Sequence, residues 1–347
     1  MAQDIAYQPL VLVETEPLTR PEWLEYRRKG LGGSDAAAVL GISPFRTARD
    51  LYYDKLGIVT ADDQENWVQL EVGNLLEPLV ARIFAKKTGL KIYQRKCMFQ
   101  HPYYPWMLAD LDYLVEMPDG KTVILEIKTT NYNAKDKWWC EGIEIVPPYY
   151  ESQGRHYMAV MNLERVYYCC LYGNNENETI IRHIDRDMAY ETELIALEQD
   201  FWENNVLKKL PPPYFEYNGE LILESLRRSL GLAEKKLEPV TLTQAQSARV
   251  ALFRELQAEK KKFDAKSKQV ENELKRLKAL IVADMGTSST AISADGYTIT
   301  WKPSYTPGIY KEKLEQLKVR HPDIYAEYAT NSERWNFNIQ KPKPEAA

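Results

Sequence analysis

Thr122-Val123-Ile124-Leu125-Glu126-Ile127-Lys128-Thr129-Thr130 is an apolar run that admits one acid and one lysine, two residues apart. Its length and β-branched content read as a strand. Side chains alternate across a strand, so Val123, Leu125 and Ile127 are expected to face a core, with Glu126 and Lys128 together on the opposite face. A Glu-x-Lys pair by itself is equally at home on the wet face of any half-buried strand, and only its surroundings give it meaning.

Upstream, Trp106-Met107-Leu108-Ala109-Asp110-Leu111-Asp112-Tyr113-Leu114-Val115-Glu116 reads as a second strand, joined to the first by Met117-Pro118-Asp119-Gly120. Pro118 and Asp119 suit the centre of a type I turn and Gly120 the left-handed position after it, a three-residue hairpin loop. If Met117 pairs with Lys121, counting back places Asp112 opposite Glu126, with β-carbons about 5 Å apart. Two carboxylates so placed repel one another unless a cation lies between them. A divalent ion with a preference for oxygen ligands, such as Mg²⁺, meets that need.

Asp112 followed across a hairpin by Glu126-Ile127-Lys128 resembles the D…(D/E)-x-K core of the PD-(D/E)XK nucleases. The flanks narrow the resemblance: Gly30-Leu31-Gly32-Gly33-Ser34-Asp35-Ala36-Ala37-Ala38-Val39-Leu40-Gly41, then Gly73-Asn74-Leu75-Leu76-Glu77-Pro78, and finally Gln153-Gly154-Arg155-His156-Tyr157. In that order they are similar to the YqaJ-like viral recombinases, relatives of the phage λ exonuclease, over roughly residues 15–213. The resemblance implies an α/β (α+β) fold with a restriction-endonuclease-like core, a mixed central sheet flanked by helices. It implies that Asp112, Glu126 and the Ile127 carbonyl hold Mg²⁺, or Mn²⁺ in its place. Glu77 would help to hold a second ion or the attacking water, and Lys128 would position or activate that water. Gln153 and Tyr157 would line the active site from a helix, and Arg28 would contact a 5′-phosphate. One departure stands out, since Tyr113 follows Asp112 where many relatives have glycine.

The activity implied is 5′→3′ digestion of one strand of linear duplex DNA. The single strands so made would serve a single-strand annealing recombinase during phage recombination, and the relative is a ring-shaped trimer. A structure-specific or nicking endonuclease on the same core is the alternative enzyme. A catalytically quiet module that binds DNA ends is the alternative outside enzymes, and the intact Asp112, Glu126 and Lys128 count against it.

Bulk properties are compatible with this reading. The 347 residues, 44% hydrophobic and 27% charged, suit two domains or one large domain with an appendage. No apolar run is long enough to span a bilayer and Met1–Leu10 lacks the features of a signal peptide, so the expected setting is the cytoplasm, and the resemblance implies that of a bacterial host with a phage or prophage origin. Cys97, Cys140, Cys169 and Cys170 lack the spacing of a zinc or iron–sulfur site. A net charge of −5 argues against a protein that coats DNA by charge alone, whereas local cations and a bound metal suffice for a nuclease.

Further site residues follow in chain order. Thr19 and Glu22 suit a capping box for a first helix, and Gly32-Gly33-Ser34-Asp35 opens a second. The Ser34 region reads equally as a cap and as a phosphate pocket; Arg27 and Arg28 nearby favour phosphate. Leu75, Leu76, Leu79, Val80, Ile83 and Phe84 form the apolar stripe of a helix over 65–88 that Pro78 is expected to kink or restart. Lys135, Lys137 and Trp138 lie in a basic, aromatic loop suited to phosphate contact and base stacking, though one of Trp138 and Trp139 could instead be buried. Gln153 and Tyr157 share a helix face, and Arg155 is a further DNA-contact candidate. Pro211-Pro212-Pro213 ends the nuclease domain (15–213); a linker (214–240) leads to a long helix, hairpin and short helical tail (241–347). In that helix Phe253, Leu256, Phe263, Val270, Leu274, Leu277 and Ile281 recur at three- and four-residue spacing, which fits either packing within the chain or an intermolecular coiled coil.

Overall fold

The apolar run at the centre of the sequence is buried on both faces. In the computed structural model, Val123, Leu125 and Ile127 pack with Val80, Ala81 and Phe84, while Ile124, on the other face, joins a larger core with Met158, Val160 and Tyr168. The expected wet face therefore does not exist. Glu126 lies on a strand covered from both sides and is 3% exposed.

The structure describes residues 7–58, 67–230, 239–301 and 311–328. Contacts divide the chain into two units, Met1–Lys235 and Lys236–Ala347. The first unit runs β1 (Leu10–Glu14), α1 (Arg20–Arg27), β2 (Leu31–Gly32), α2 (Gly33–Val39), α3 (Ala48–Lys55), α4 (Trp67–Thr88), β3 (Lys91–Tyr93), β4 (Cys97–Gln100), β5 (Met107–Asp110), β6 (Tyr113–Glu116) and β7 (Thr122–Thr129). It continues through a 3₁₀ turn (Lys135–Trp138), β8 (Trp139–Cys140), β9 (Ile143–Glu144), α5 (Pro148–Met161), β10 (Arg165–Leu171), β11 (Thr179–Asp185), α6 (Met188–Asp200), a π-helical turn (Phe201–Leu207) and α7 (Gly219–Leu230).

Two larger sheets result, of order β11-β10-β7-β6-β3 and β1-β4-β5-β2. The first is mixed, because β10 runs parallel to β7 and the other pairs are antiparallel. The Pro118-Asp119-Gly120 loop closes with Met117 N donating to Lys121 O at 2.8 Å, which sets the register Glu116↔Thr122 through Tyr113↔Leu125. One further step brings Asp112 level with Glu126.

The stretch 106–116 is two strands rather than one. β5 belongs to one sheet and β6 to the other, and the chain passes between them at Leu111-Asp112. An apolar run reads the same whether it pairs in one sheet or two, so the break has no local signal. Its consequence is positional: Asp112 sits where the two sheets meet.

α4 runs through Pro78 without restarting. Proline keeps a helical φ and loses only its own N–H, which leaves the Asn74 carbonyl without its helical donor. Packing of Val80, Ala81 and Phe84 onto the sheet holds the helix together across that point. Leu75 and Leu79, expected in the apolar stripe, are exposed instead, and Leu76 and Ile83 pack beside the core residues.

The segment 214–240, expected as a linker, contains α7, and the chain leading into it is tied to α3. Glu216 accepts from the Ala48 amide at 2.8 Å, Ser225 bonds Thr47 at 3.1 Å, and Arg228 pairs with Asp50 at 2.9 Å. The first satisfies the orphan Ala48 amide at the start of α3, and the other two hold the Thr47 and Asp50 side chains that cap it.

The second unit holds α8 (Gln244–Met285), a hairpin of β12 (Thr290–Ile292) and β13 (Thr298–Thr300), and α9 (Lys311–Arg320) and α10 (Pro322–Tyr328). α8 starts at a capping box of Thr243 and Gln246 and contains no buried residue. Among the described residues no helix is long and apolar enough to cross a membrane.

Candidate active site

Asp112 lies beyond the end of β6, where no strand partner fixes it, and its side chain substitutes for the ladder: Oδ2 accepts from the Ile127 amide at 2.8 Å. Glu126, two positions before Lys128 on β7, shares a face with it. Oε1 of Glu126 accepts from Lys128 at 2.8 Å and from Gln153 at 2.6 Å. Gln153 in turn accepts from Lys128 at 3.0 Å and donates to Tyr157 OH at 3.3 Å. The four-residue spacing of Gln153 and Tyr157 on α5 thus does what a helix face predicts. Gly33 lets α2 approach this face, since a β-carbon there would lie 2.5 Å from the Tyr157 ring.

Glu77 reaches the same place from α4, the helix above the opposite face of the sheet. Gln94 links it to the β-strand junction, donating to Glu77 Oε1 at 3.2 Å and to the Asp112 carbonyl at 3.3 Å. Glu77, Asp112, Glu126, Gln153 and Tyr157 line a cavity of about 590 Å³ together with Asp110, Asn74, Lys96, Trp23, Arg27 and Ser34. Asp110 is a fourth carboxylate that the sequence reading passed over. Its two-residue offset from Asp112 was the available signal, and its Oδ2 is held by the Trp23 indole at 2.7 Å.

Burial and mutual repulsion dominate the electrostatics. Glu77 is pushed up to about 7 by burial and by Asp112 and Asp110. Asp112 is pushed up to about 8 by burial and by Glu126. Glu126 is raised by burial, against the pull of Lys128. Burial alone would lower Lys128, but Glu126 and Asp112 hold it above its ordinary value. Tyr157 stays protonated well above its usual range, again through burial and the same two acids.

Whether a divalent cation suits this pocket turns on one atom. Oε2 of Glu126 is buried and has no hydrogen-bond partner, a costly state that coordination would relieve. Among the described residues no three acidic, cysteine or histidine side chains stand together as a group able to hold a metal ion, so an ion here would have at most two such side chains and open positions besides. Mg²⁺ fits such an open set, because it commonly keeps several waters and is bound through one or two carboxylates. Asp112, Glu126, the Ile127 carbonyl and Glu77 are the donors available.

Beside the cavity, Asp35 anchors a buried ionic cluster. Arg27 pairs with it at 2.8 Å, Lys55 at 2.7 Å, and Arg46 completes the set, holding the acid well below the usual carboxylate range despite burial. Asp35 also accepts from the Gly32 amide at 3.0 Å, so it caps α2. Arg27 donates to Ser34 Oγ and lines the cavity, whereas Arg28 turns to Asp54 at 3.7 Å. Arg27, and not the expected Arg28, therefore borders the cavity.

Two other DNA-contact expectations change. Trp138 is 1% exposed and packs with Tyr150 and Tyr168, so it cannot stack on a base. Its neighbour Trp139 is exposed beneath Arg182. Arg155 pairs with Glu151 and lies over Tyr190, away from the cavity. Lys137 is exposed, and Lys135 lies over the Tyr132 ring at 4.4 Å. His156, between Gln153 and Tyr157, is buried with one ring nitrogen on Glu198 and the other on the Leu108 carbonyl, all at 2.9 Å. Both ring nitrogens face acceptors, and although burial opposes the charge, Glu198 raises the group above its ordinary value. It ties α5 to the strand that leads into Asp110 and Asp112.

The profile of the YqaJ-like viral recombinase domain matches residues 22–164, a range that contains Glu77, Asp112, Glu126, Lys128, Gln153 and Tyr157. Over those residues the chain is similar to the YqaJ-like viral recombinase family. Along almost its whole length the chain is also similar to the uncharacterized protein YqaJ of Bacillus subtilis, 28% identical over 334 residues that cover 95% of this chain and 97% of that protein. Solved structures similar to this chain include an alkaline exonuclease from Laribacter hongkongensis, at 18% identity and a TM-score of 0.43, covering 55% of this chain and 94% of that one. A phage-related exonuclease from Haemophilus somnus is similar at 12% identity and a TM-score of 0.39, covering 52% and 96%.

Proposed function

We propose that the protein is a Mg²⁺-dependent deoxyribonuclease with a PD-(D/E)XK core, which digests one strand of linear duplex DNA from its 5′ end. The observation that carries this reading is the buried, unpartnered Oε2 of Glu126, set among Glu77, Asp110 and Asp112 and beside Lys128. A buried carboxylate oxygen without a donor is costly in a purely structural ion pair, and this one belongs to a residue that lines the cavity.

Asp112, Glu126 and the Ile127 carbonyl would hold the ion, with Glu77 supporting a second ion or a water. When bound, Mg²⁺ supplies positive charge against the phosphate and lowers the pKa of water. Gln153 fixes the rotamer of Glu126 by bonding the oxygen that Lys128 also uses. Lys128 remains protonated, so it serves to orient the nucleophile and to stabilise charge developing on the phosphate rather than to accept a proton. Tyr157, also protonated, offers a fixed hydroxyl within reach of Gln153. Arg27 and Ser34, at the cavity edge, would take a terminal 5′-phosphate through charge-assisted hydrogen bonds. Lys135, Lys137 and Trp139 would contact DNA outside the cavity.

The single strands left behind would be substrates for a single-strand annealing recombinase, and a trimeric ring would account for processive digestion. The test is a time course on linear duplex with 5′-phosphate, linear duplex with 5′-hydroxyl and closed circular duplex, with Mg²⁺ or with chelator. Metal-dependent loss of the linear substrates, the phosphorylated one faster, with circles intact, is the expected result. Rapid cutting of closed circles would transfer the reading to an endonuclease, and inertness toward all three with Mg²⁺ or Mn²⁺ would remove the nuclease reading altogether.

A further inference from the structure

Lys128 has a second neighbour besides the acidic cavity. Its ammonium lies 4.6 Å from the centroid of the Tyr150 ring. From Tyr150 the rings continue: the Tyr149 centroid is 4.4 Å away, and Phe45 is 5.9 Å from Tyr149, both edge-to-face. Tyr149 and Tyr150 are half-buried, whereas Phe45 is 68% exposed.

An exposed phenylalanine on a surface loop is unremarkable when the loop is loosely held. The Phe45 loop is hydrogen-bonded from within. Ser43 Oγ accepts from the amides of Phe45 and Arg46 at 3.1 and 3.3 Å, and the amides of Ile42 and Ser43 both reach the Ala37 carbonyl at 3.0 Å. Arg46 is bound to Asp35 and Asp54, and Thr47 caps α3. The loop is thus fixed on both sides of a ring that is left facing solvent.

We propose that Phe45 and Tyr149 form a stacking platform for unpaired nucleobases of the strand next to the scissile phosphate. The proposal rests on the nuclease reading above. A row of rings that begins at the catalytic lysine and becomes more exposed with distance offers successive bases a π-face without selecting their identity, as single-strand channels do. Arg46 is committed to carboxylates, so the platform acts through stacking rather than phosphate charge. Every base has a π-face, so the preference is for unpaired over paired DNA and not for sequence.

The test uses the full chain in chelator, where cleavage does not interfere. Binding of a fluorescent oligothymidylate is followed by anisotropy over a range of salt concentrations for the unmutated protein, Phe45→Ala and Phe45→Trp. Phe45→Ala is expected to bind about tenfold more weakly, with the slope of log affinity against log salt unchanged, and Phe45→Trp to restore binding. Unchanged affinity in Phe45→Ala, or a shallower salt slope, would overturn the platform. So would a change of oligomeric state in sedimentation, because the ring would then belong to an interface between copies. Failure here leaves Mg²⁺-dependent cleavage untouched, and a protein that loses binding in Phe45→Ala yet never cuts DNA would keep the platform and lose the nuclease.

Discussion

Gln153 donates to Oε1 of Glu126 at 2.6 Å, the same oxygen that accepts from Lys128 at 2.8 Å, while Oε2 has no partner. Two donors on one oxygen fix the direction of the other. Gln153 is therefore a positioning residue, and its loss should be felt first as loss of metal affinity. For Gln153→Ala we expect the Mg²⁺ concentration needed for half-maximal cleavage to rise about 10- to 100-fold, the usual range for partners of metal ligands. Rate at saturating Mg²⁺ should largely recover. A metal titration of cleavage rate checks this, and an unchanged midpoint would separate Gln153 from the metal ligands.

Lys128 should separate from Glu126 in the opposite sense. Glu126→Gln removes a carboxylate from the pocket and is expected to abolish cleavage and weaken Mg²⁺ binding together. Lys128→Met removes the cation bonded to Glu126 and leaves the acids in place, so Mg²⁺ binding by calorimetry should persist or tighten. Its cleavage rate should fall about 10²- to 10³-fold, as when one donor to a developing charge is lost. Weakened metal binding in Lys128→Met would contradict the assignment.

The raised carboxylates make stability depend on pH in a direction that Mg²⁺ should cancel. Asp112 and Glu77 stand at about 8 and about 7 in the folded chain, against 3.8 and 4.5 in an unperturbed one. Between those limits the folded state binds more protons than the unfolded state, so stability falls as pH rises from about 4 to about 8. Melting curves without metal should show that decline, with other groups superimposed. Added Mg²⁺ should raise Tm more at about pH 8.5 than at about pH 5.5, because deprotonated acids are its ligands. Asp112→Asn, a neutral isostere that still accepts from the Ile127 amide, should flatten the decline.

What could be read in advance was local, and what could not was decided by packing between elements. The 117–121 loop and the register of Glu126 follow from turn chemistry and alternation within a few residues. The break at Leu111-Asp112 required knowing that β5 pairs with β4 and β2 rather than continuing beside β7. Burial of Glu126 was missed because alternation says which residues share a face and nothing about what covers it. Trp138 and Trp139 are adjacent and chemically alike, and only packing against Tyr150 and Tyr168 chooses Trp138 as the buried one. Asp110 differs for a related reason: its offset from Asp112 is visible in the sequence, but its place beside the cavity depends on Trp23 being brought to it.

Packing also moves the end of the first unit. A chain stopped after residue 213 loses Glu216, Ser225 and Arg228, and with them the bonds to Ala48, Thr47 and Asp50 at the start of α3. It also removes Phe215, which packs against Gly41. Each buried hydrogen-bonding group left unpaired costs about 1–3 kcal/mol, and in a unit of this size each kcal/mol lowers Tm by about 2–4 °C. We expect the chain ending at 213 to melt at least about 5 °C below one ending at 235. The chain ending at 235 should match the full chain in cleavage of linear duplex by a single turnover. Equal melting of the two truncations would show that the α7 segment contributes nothing to the nuclease unit.

Arg27 and Arg28 differ by one position, and the structure gives them different work. Arg27 donates to Ser34 and Asp35 and borders the cavity, while Arg28 faces Asp54. Removing Arg27 leaves Asp35 with Lys55 and Arg46, so the buried acid is still paired and the fold should survive. A terminal 5′-phosphate carries more charge than an internal diester, and hydrogen bonds to charged groups contribute about 1.5–3 kcal/mol, or about 10- to 100-fold in rate when made in the transition state. Arg27→Ala should therefore abolish the faster digestion of 5′-phosphorylated over 5′-hydroxyl linear duplex, while Arg28→Ala preserves the ratio and loses a little stability instead. The ratio of initial rates on the two substrates, compared across the three proteins, decides it; loss of the preference in Arg28→Ala alone would restore Arg28 as the phosphate contact.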